Sequence, residues 1–309
     1  MSQPDAPLGV LLMTYGSPSS LEDVPRYLAA VRGGRQPDAE LVTELQRRYA
    51  VIGSSPLIEI TQAQAAALEQ RLGGEALVRP AMRFSPPGIE VGLAELAAVG
   101  VRSVLGIVLS PQYSPLLMGG YGRDLQAARA HLESAAPAVR VAGPWHREPD
   151  FVAALAARIR QALTRLPADA ADTAPVLMTA HSLPRRVAEQ EPDYLEQLRV
   201  TAEDVAAAAG IGSERWRFCW QSAGHEPGEW MTPDFADLMP ELAAAGHSSV
   251  VVAPVQFLAD HLETLYDVDI GAREQAEAHG LAFARIPALN TDARFIDALA
   301  AVVARDGGS

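Results

Sequence analysis

Two stretches of this chain repeat one another, and both have the pattern of strands buried inside a parallel sheet. Val10–Pro18 reads VLLMTYGSP, and Val176–Pro184 reads VLMTAHSLP. A second pair follows, since Ser103–Gln112 reads SVLGIVLSPQ and Ser249–Gln256 reads SVVVAPVQ. Apolar runs without polar alternation are typical of strands covered by helices on both faces. The repeat therefore predicts two similar halves built around parallel sheets.

Segments of helical length separate the apolar runs along the whole chain. Strands that alternate with helices imply right-handed βαβ units. We predict an α/β fold of two Rossmann-like lobes, each a four-stranded parallel sheet flanked by helices, which face a central cleft. The N-terminal lobe is predicted at 1–146, joined by a C-terminal helix at 291–309, and the C-terminal lobe at 147–290. The predicted strands are Leu8–Met13, Ala76–Phe84, Ser103–Leu109, Val139–Ala142, Val176–Thr179, Arg217–Trp220, Ser249–Ala253 and Ala282–Ile286.

The composition limits the classes of partner. Of 309 residues, 25 are basic and 38 acidic, which gives a net charge of −13. Such a surface repels phosphate backbones, so we expect no nucleic-acid partner, and an anionic ligand would need a local cluster of arginines. The single cysteine, Cys219, excludes an internal disulfide and an iron–sulfur cluster held by four cysteines of this chain. We find no signal peptide and no apolar run of transmembrane length, and we expect a cytoplasmic protein.

An acidic segment follows the apolar run Val250–Ala253, which we expect Pro254 to end. In open α/β sheets, ligands bind beyond the carboxyl ends of the strands, where this segment begins. Four of its polar residues have the spacing of one helix face. By itself, such a face is more often solvated than functional. The four residues are Asp260, Glu263, Thr264 and Asp267.

The repeat places Tyr15 and His181 at equivalent positions, each just past the predicted end of a strand. A histidine at such a position caps backbone groups about as often as it has a function. However, His181 and Glu263 could converge, since strand ends of a parallel sheet meet at one edge. An imidazole and a carboxylate form an open site for Fe²⁺ or Zn²⁺, or an acid–base pair. No strand is followed by GxGxxG, and GxSxG and HExxH are absent.

Eight motifs, taken in order, resemble the ferrochelatase family over about Leu8–Ala304. They are MTYGSP, VRGGRQP, RRYAVIGSSPL, AMRFSPP, LSPQYS, TAHSLPRR, CWQSAG and PVQFLADHLETLYDVD. The resemblance implies two Rossmann-like lobes around a porphyrin cleft and insertion of Fe²⁺, as a substrate, into the ring in haem biosynthesis. It implies no organic cofactor. The chain looks like the short bacterial coproporphyrin III ferrochelatases, so coproporphyrin III is the expected porphyrin and protoporphyrin IX the alternative. A transient partner from the haem pathway is a further expectation.

The resemblance also implies roles for individual residues. His181 and Glu263 would be the catalytic pair that binds Fe²⁺, and Tyr15 would contact the iron axially in the product. Five residues match the positions that hold the porphyrin propionates: Arg32, Arg48, Tyr49, Ser55 and Tyr121. Arginines suit carboxylates because they form charge-assisted, bidentate hydrogen bonds.

Two positions depart from the family pattern. Gly271 replaces an acidic residue that continues the row of Glu263 and Asp267, which leaves an outer metal site open to question. Arg83 matches a basic residue near the porphyrin rim, but Ser85 and Pro86 replace the aromatic or imidazole groups expected beside it.

Two other functions fit part of the pattern. A cobalt or nickel chelatase for sirohydrochlorin-like rings shares the two-lobed plan, but that class tends to use several histidines, whereas His181 is the main one expected here. In a non-catalytic haem or porphyrin carrier, Tyr15 would bind the iron and His181 would be passive. Turnover with free Fe²⁺ and porphyrin separates a catalyst from a carrier.

Overall fold

The computed structural model describes residues 7–132, 136–167, 170–224 and 228–308. The chain divides into two compact units. Unit 1 extends from the N-terminus to Trp145 and takes in the C-terminal segment from Asn290, and unit 2 is His146–Leu289. Residues 1–6 and 309 of the predicted N-terminal lobe lie outside the described residues.

Each unit contains a four-stranded, all-parallel sheet, as predicted. The order is β2-β1-β3-β4 in unit 1 and β6-β5-β7-β8 in unit 2. The strands are β1 (Leu8–Thr14), β2 (Ala76–Met82), β3 (Ser103–Val108), β4 (Ala138–Val141), β5 (Val176–His181), β6 (Trp216–Gln221), β7 (Ser249–Pro254) and β8 (Ala282–Arg285). The order is the same in both units, with the repeated motifs on the strand pairs β1/β5 and β3/β7.

The helices of the described residues cover both faces of these sheets. They are α1 (Val24–Val31), α2 (Ala39–Ile52), α3 (Leu57–Arg71), α4 (Ile89–Ala98), α5 (Pro115–His131), α6 (Pro149–Leu163), α7 (Arg185–Ala188), α8 (Pro192–Ala209), α9 (Phe235–Ala244), α10 (Leu262–Leu265), α11 (Arg273–Ala278) and α12 (Ala293–Asp306). A π-helix, Asp267–Ala272, lies between α10 and α11. None of the described helices is long and apolar enough to pass through a lipid bilayer.

The central strands supply the most deeply buried residues. In unit 1, Leu11 and Met13 of β1 are fully buried against Leu93 of α4 and Leu125 of α5. In unit 2, Leu177 of β5 and Val250 and Val252 of β7 pack with Leu238 and Met239 of α9. Burial on both faces explains why these strands are apolar without alternation.

The sequence predicts a loop at Ser110–Gly122, which is rich in proline, glycine and tyrosine, and a helix at Arg123–Ser134; the loop is wrong, because α5 already begins at Pro115. Ser114 caps this helix by accepting a hydrogen bond from the Leu117 amide at 3.0 Å, and proline is favourable in the first turn. Gly120 lies inside the helix where a Cβ would meet the Arg83 guanidinium at about 2 Å. Tertiary packing therefore outweighs the low helix propensity of glycine. The last two residues of the predicted helix Arg123–Ser134 lie outside the described residues.

Three strands of unit 2, β5, β6 and β7, are longer than predicted. His181 is the last residue of β5 and pairs in register with Gln221 of β6. Pro254 belongs to β7, opposite Thr179. Proline is tolerated there because it is the last residue of the strand, and the next amide, that of Val255, donates to the Thr179 carbonyl at 3.0 Å.

The single helix face predicted from Asp260 to Asp267 is also wrong. Helix α10 is only one turn long, and the backbone widens into the π-helix from Asp267. Asp260 precedes α10 and pairs with Arg285, while Thr264 is buried at 1% exposure. The segment is therefore irregular, and contacts from neighbouring strands set the direction of each side chain.

Candidate active site

His181 is fixed at the carboxyl edge of the unit 2 sheet by hydrogen bonds on both sides. Its backbone amide donates to Gln256 Oε1 at 2.7 Å, and Gln256 Nε2 donates to the buried Tyr194 hydroxyl. Its ring Nδ1 lies 2.6 Å from the Ser182 carbonyl oxygen, which can only accept, so Nδ1 carries the proton. In the neutral ring, Nε2 is then the acceptor, available to a metal ion or to a proton.

Glu263 has an immediate partner that the sequence did not indicate. Its Oε2 lies 3.0 Å from His261 Nε2, with 33% of the Glu263 side chain exposed. Burial favours the protonated acid, but the charge and the hydrogen bond of His261, with a further contribution from His181, outweigh it and lower the pKa of Glu263 to about 2. The carboxylate is thus held in the ionised form that binds cations.

The hydrogen bonds of His261 require the charged imidazolium. Its Nδ1 lies 2.8 Å from the Ala259 carbonyl oxygen and its Nε2 faces the ionised Glu263, so both ring nitrogens must donate. Burial opposes this charge, but Glu263, the Ala259 carbonyl and Asp260 outweigh it and raise the pKa of His261. Glu263 and His261 therefore form an imidazolium–carboxylate pair.

Two residues at the end of β6 connect the sheet to the acidic segment. Gln221 accepts from Thr179 Oγ1 at 2.5 Å and donates to the Glu263 carbonyl at 3.0 Å. Ser222 has a φ of +58°, which is uncommon for serine, and its hydroxyl donates to Asp267. Asp267, predicted to follow Glu263 in the row, is thus held by Ser222.

In unit 1, Tyr15 lies on the turn that follows β1. Its side chain is 44% exposed, and its ring packs edge to face on Phe84 with 4.6 Å between centroids. Gly16 has a φ of +89°, and a Cβ there would lie 2.7 Å from Ser85 Oγ, so the close approach of the two loops requires glycine. Tyr15 is therefore presented to solvent at a defined position.

Arg83 lies in a cluster of aromatic rings. Its guanidinium is 4.8 Å from the Phe84 ring centroid and 5.4 Å from that of Tyr121, and its Nε donates to Asp124 at 2.7 Å. Arg83 therefore does have an aromatic neighbour, but this neighbour is Phe84 and not residue 85 or 86, where the family pattern predicts one. Tyr121 is buried, and burial raises the pKa of its phenol. Its contact with a propionate stays a prediction.

The two predicted propionate arginines differ in their surroundings. Arg32 is the C-cap of α1, and its Nε is buried without a hydrogen-bond partner among the described residues. Arg48 of α2 donates through Nε to Glu44, one turn earlier, at 2.8 Å. Arg32 therefore carries a buried donor without an acceptor, whereas Arg48 already forms an ion pair with Glu44.

A cavity of about 340 Å³ opens in unit 1. Tyr49 and Ser54 line it, and Ser55 does not; the contacts of Tyr49 and Ser55 with a propionate stay predictions. Ser55 is buried at 8% exposure, and its hydroxyl accepts weakly from the Leu57 amide at 3.4 Å. The other lining residues are Pro18, Ser20, Leu21, Ala50 and Gly53.

The fold is shared with solved structures of metal chelatases. SirB from Bacillus subtilis with Fe3+ has a similar structure, with a TM-score of 0.59 and 11% identity over 97% of this chain and 95% of that one. The sirohydrochlorin chelatase SirB from Bacillus subtilis subspecies spizizenii in complex with cobalt gives a TM-score of 0.56 at 12% identity, over 97% and 94% of the two chains. At this identity the likeness establishes the fold.

The chain belongs to the ferrochelatase family, whose model matches residues 7–306. It is 38% identical to the ferrochelatase of Deinococcus radiodurans over 97% of this chain and 96% of that protein. It is 36% identical to the coproporphyrin III ferrochelatase of Geobacillus kaustophilus (96% and 94%) and 34% identical to that of Bacillus subtilis (97% and 98%). It is therefore a metal chelatase of haem biosynthesis, a lyase that inserts ferrous iron into a porphyrin.

Proposed function

We propose that this ferrochelatase acts on coproporphyrin III and produces iron coproporphyrin III. Relatives that carry this name align with nearly the whole chain, although the ferrochelatase of Deinococcus radiodurans is named without a substrate. Coproporphyrin III carries four propionates and protoporphyrin IX carries two. The proposal therefore depends on how many carboxylates unit 1 can bind.

The observation that carries the proposal is the buried Arg32 Nε without a partner. A buried donor of a charged group is costly when it makes no hydrogen bond, and a propionate would supply the missing acceptor. Arg48 provides a second cation in unit 1, and Tyr49 lines the cavity of this unit. These groups support a substrate with several carboxylates in a protein whose net charge of −13 would otherwise repel it.

Fe²⁺ is the metal substrate, and we assign its handling to His181 and Glu263. Insertion removes two pyrrole protons while the metal approaches the ring nitrogens. The Nε2 lone pair of His181 can accept a proton or bind the ion, and the ionised Glu263 supplies a hard anionic ligand. We assign Tyr15, exposed at 44%, to axial contact with the product iron, since phenolate favours ferric iron.

The test of the substrate is the ratio of kcat/KM for coproporphyrin III to that for protoporphyrin IX, measured anaerobically with Fe²⁺ under one set of conditions. We expect a ratio of at least about ten, equivalent to about 1.4 kcal/mol of discrimination. A ratio of one or below would assign the enzyme to protoporphyrin IX.

Glu44 is expected to compete with the substrate for Arg48. Its carboxylate accepts from Arg47 at 2.8 Å and from Arg48 at 2.8 Å, in the position that a propionate would take on Arg48. Glu44→Gln should therefore tighten coproporphyrin III binding by about two- to fivefold, the size expected when an exposed ion pair is removed. Fluorescence titration measures this, with Glu40→Gln, exposed in the first turn of the same helix, as the charge-matched control. Weaker binding by Glu44→Gln would mean that Glu44 orients Arg48 rather than competing for it.

A further inference from the structure

Arg285, the last residue of β8, joins the two ends of the acidic segment Asp260–Asp269. Its Nε and Nη2 donate to the two carboxylate oxygens of Asp269, both at 2.8 Å. Nη2 also lies 3.0 Å from Asp260 Oδ1, and Nη1 donates to the Ile286 carbonyl at 3.1 Å. The Arg285 side chain is only 12% exposed, so this is a built, largely buried arrangement.

The segment held in this way carries Glu263, one of the two residues assigned to iron. His261, Glu263 and Asp267 lie between the two aspartates that Arg285 binds. Its backbone is one α-helical turn followed by a π-helix, which is a less regular hydrogen-bonding pattern than a continuous α-helix. Arg285 is bidentate to Asp269 and makes one contact with Asp260, and so fixes a spacing that the short helices do not fix themselves.

Arg285 also divides the carboxylates of the segment into two pairs. Asp260 and Asp269 both lie against the single guanidinium. Glu263 pairs with His261, and Asp267 accepts from the Ser222 hydroxyl. Aspartate and glutamate carboxylates are chemically equivalent ligands for a divalent cation. Asp260 and Asp269 would therefore compete with Glu263 for the cation if Arg285 did not bind them.

We propose that Arg285 is a positioning residue of the iron site: it sets the geometry of Asp260–Asp269 and withholds the two terminal aspartates from the metal, so that Glu263 is presented to Fe²⁺. The inference rests on the proposed role of Glu263 in binding iron.

The variants Arg285→Lys and Arg285→Gln test the proposal in the full-length enzyme. Lysine keeps the charge but cannot bind Asp269 and Asp260 in the same fork. We expect the KM for Fe²⁺ to rise at least about fivefold in both variants, while the KM for porphyrin stays within about twofold. Arg217→Lys is the matched control, because Arg217 pairs with Glu241 in the same unit at a site where both side chains are about half exposed.

Calorimetric titration with Co²⁺ alone gives a readout that does not depend on turnover. Arg285→Gln should bind additional Co²⁺ relative to the wild type, and the triple variant Asp260→Asn/Asp269→Asn/Arg285→Gln should return to the wild-type stoichiometry. If Arg285→Gln does not fold, Asp269→Asn, which keeps the shape of the side chain, should show the same direction of change in the KM for Fe²⁺.

Two outcomes overturn the proposal. One is a lower melting temperature with an unchanged KM for Fe²⁺, which would leave Arg285 with a structural role only. The other is an unchanged Co²⁺ stoichiometry in Arg285→Gln. A wild-type enzyme that prefers protoporphyrin IX would instead overturn the proposed substrate, and the Co²⁺ titration would still decide the role of Arg285.

Discussion

Replacing His181 by alanine, or Glu263 by glutamine, is expected to lower the turnover of iron insertion at least about tenfold while porphyrin affinity changes by less than about twofold. The reason is that His181 Nε2 and the ionised Glu263 carboxylate act on metal and protons, whereas the propionates are assigned to unit 1. Single-turnover kinetics with Fe²⁺ measure the first quantity, and fluorescence titration of coproporphyrin III measures the second.

Matched controls are available in the same unit. His279→Ala removes an exposed imidazole, and Glu274→Gln makes the same carboxylate-to-amide change on α11. Because Glu263→Gln also removes the anionic partner of His261, thermal unfolding of this variant should be recorded beside its kinetics. Wild-type turnover in a folded His181→Ala or Glu263→Gln enzyme would remove that residue from the mechanism.

The central strands β1, β3, β5 and β7 could be predicted because they are buried on both faces, which leaves a continuous apolar run in the sequence. The beginning of helix α5 could not, since Gly119 and Gly120 are poor helix formers and the packing that favours the helix comes from Arg83, distant in sequence. The π-helix at Asp267 was also missed. Spacing alone does not reveal a one-residue widening of a helix.

The position of His181 at the carboxyl edge of the sheet was predictable, but the partner of Glu263 was not. His181 and Glu263 follow from strand ends that meet at one edge of a sheet, with the family resemblance to support them. The pair of His261 and Glu263 has a spacing of two, and such residues do not face each other within a helix. They meet because His261 has an extended backbone, with a φ of −160°, just before α10 begins. The pairing of Glu44 with Arg48, by contrast, could have been predicted, because residues four apart are neighbours on one face of a helix.

Replacing Arg32 or Arg48 by alanine is expected to weaken coproporphyrin III binding by about 1–3 kcal/mol each, because a substrate carboxylate loses a charge-assisted hydrogen bond. Arg32 should give the larger loss, since its buried Nε has no partner among the described residues and Arg48 already binds Glu44. At least one variant should affect protoporphyrin IX less, because that ring has two carboxylates fewer.

Titration of both porphyrins by fluorescence quenching distinguishes two possibilities. The arginines either bind the additional propionates specifically or attract any porphyrin carboxylate by charge. Arg71→Ala removes an arginine from the same unit at a side chain that is 58% exposed, and should leave both affinities unchanged. Arg32→Lys keeps the charge without the fork and should fall between wild type and alanine. If Arg32→Ala and Arg48→Ala each weakened the two porphyrins equally, the arginines would not read the additional propionates. These two arginines would then no longer support a preference for coproporphyrin III, and only the names of the relatives would support it.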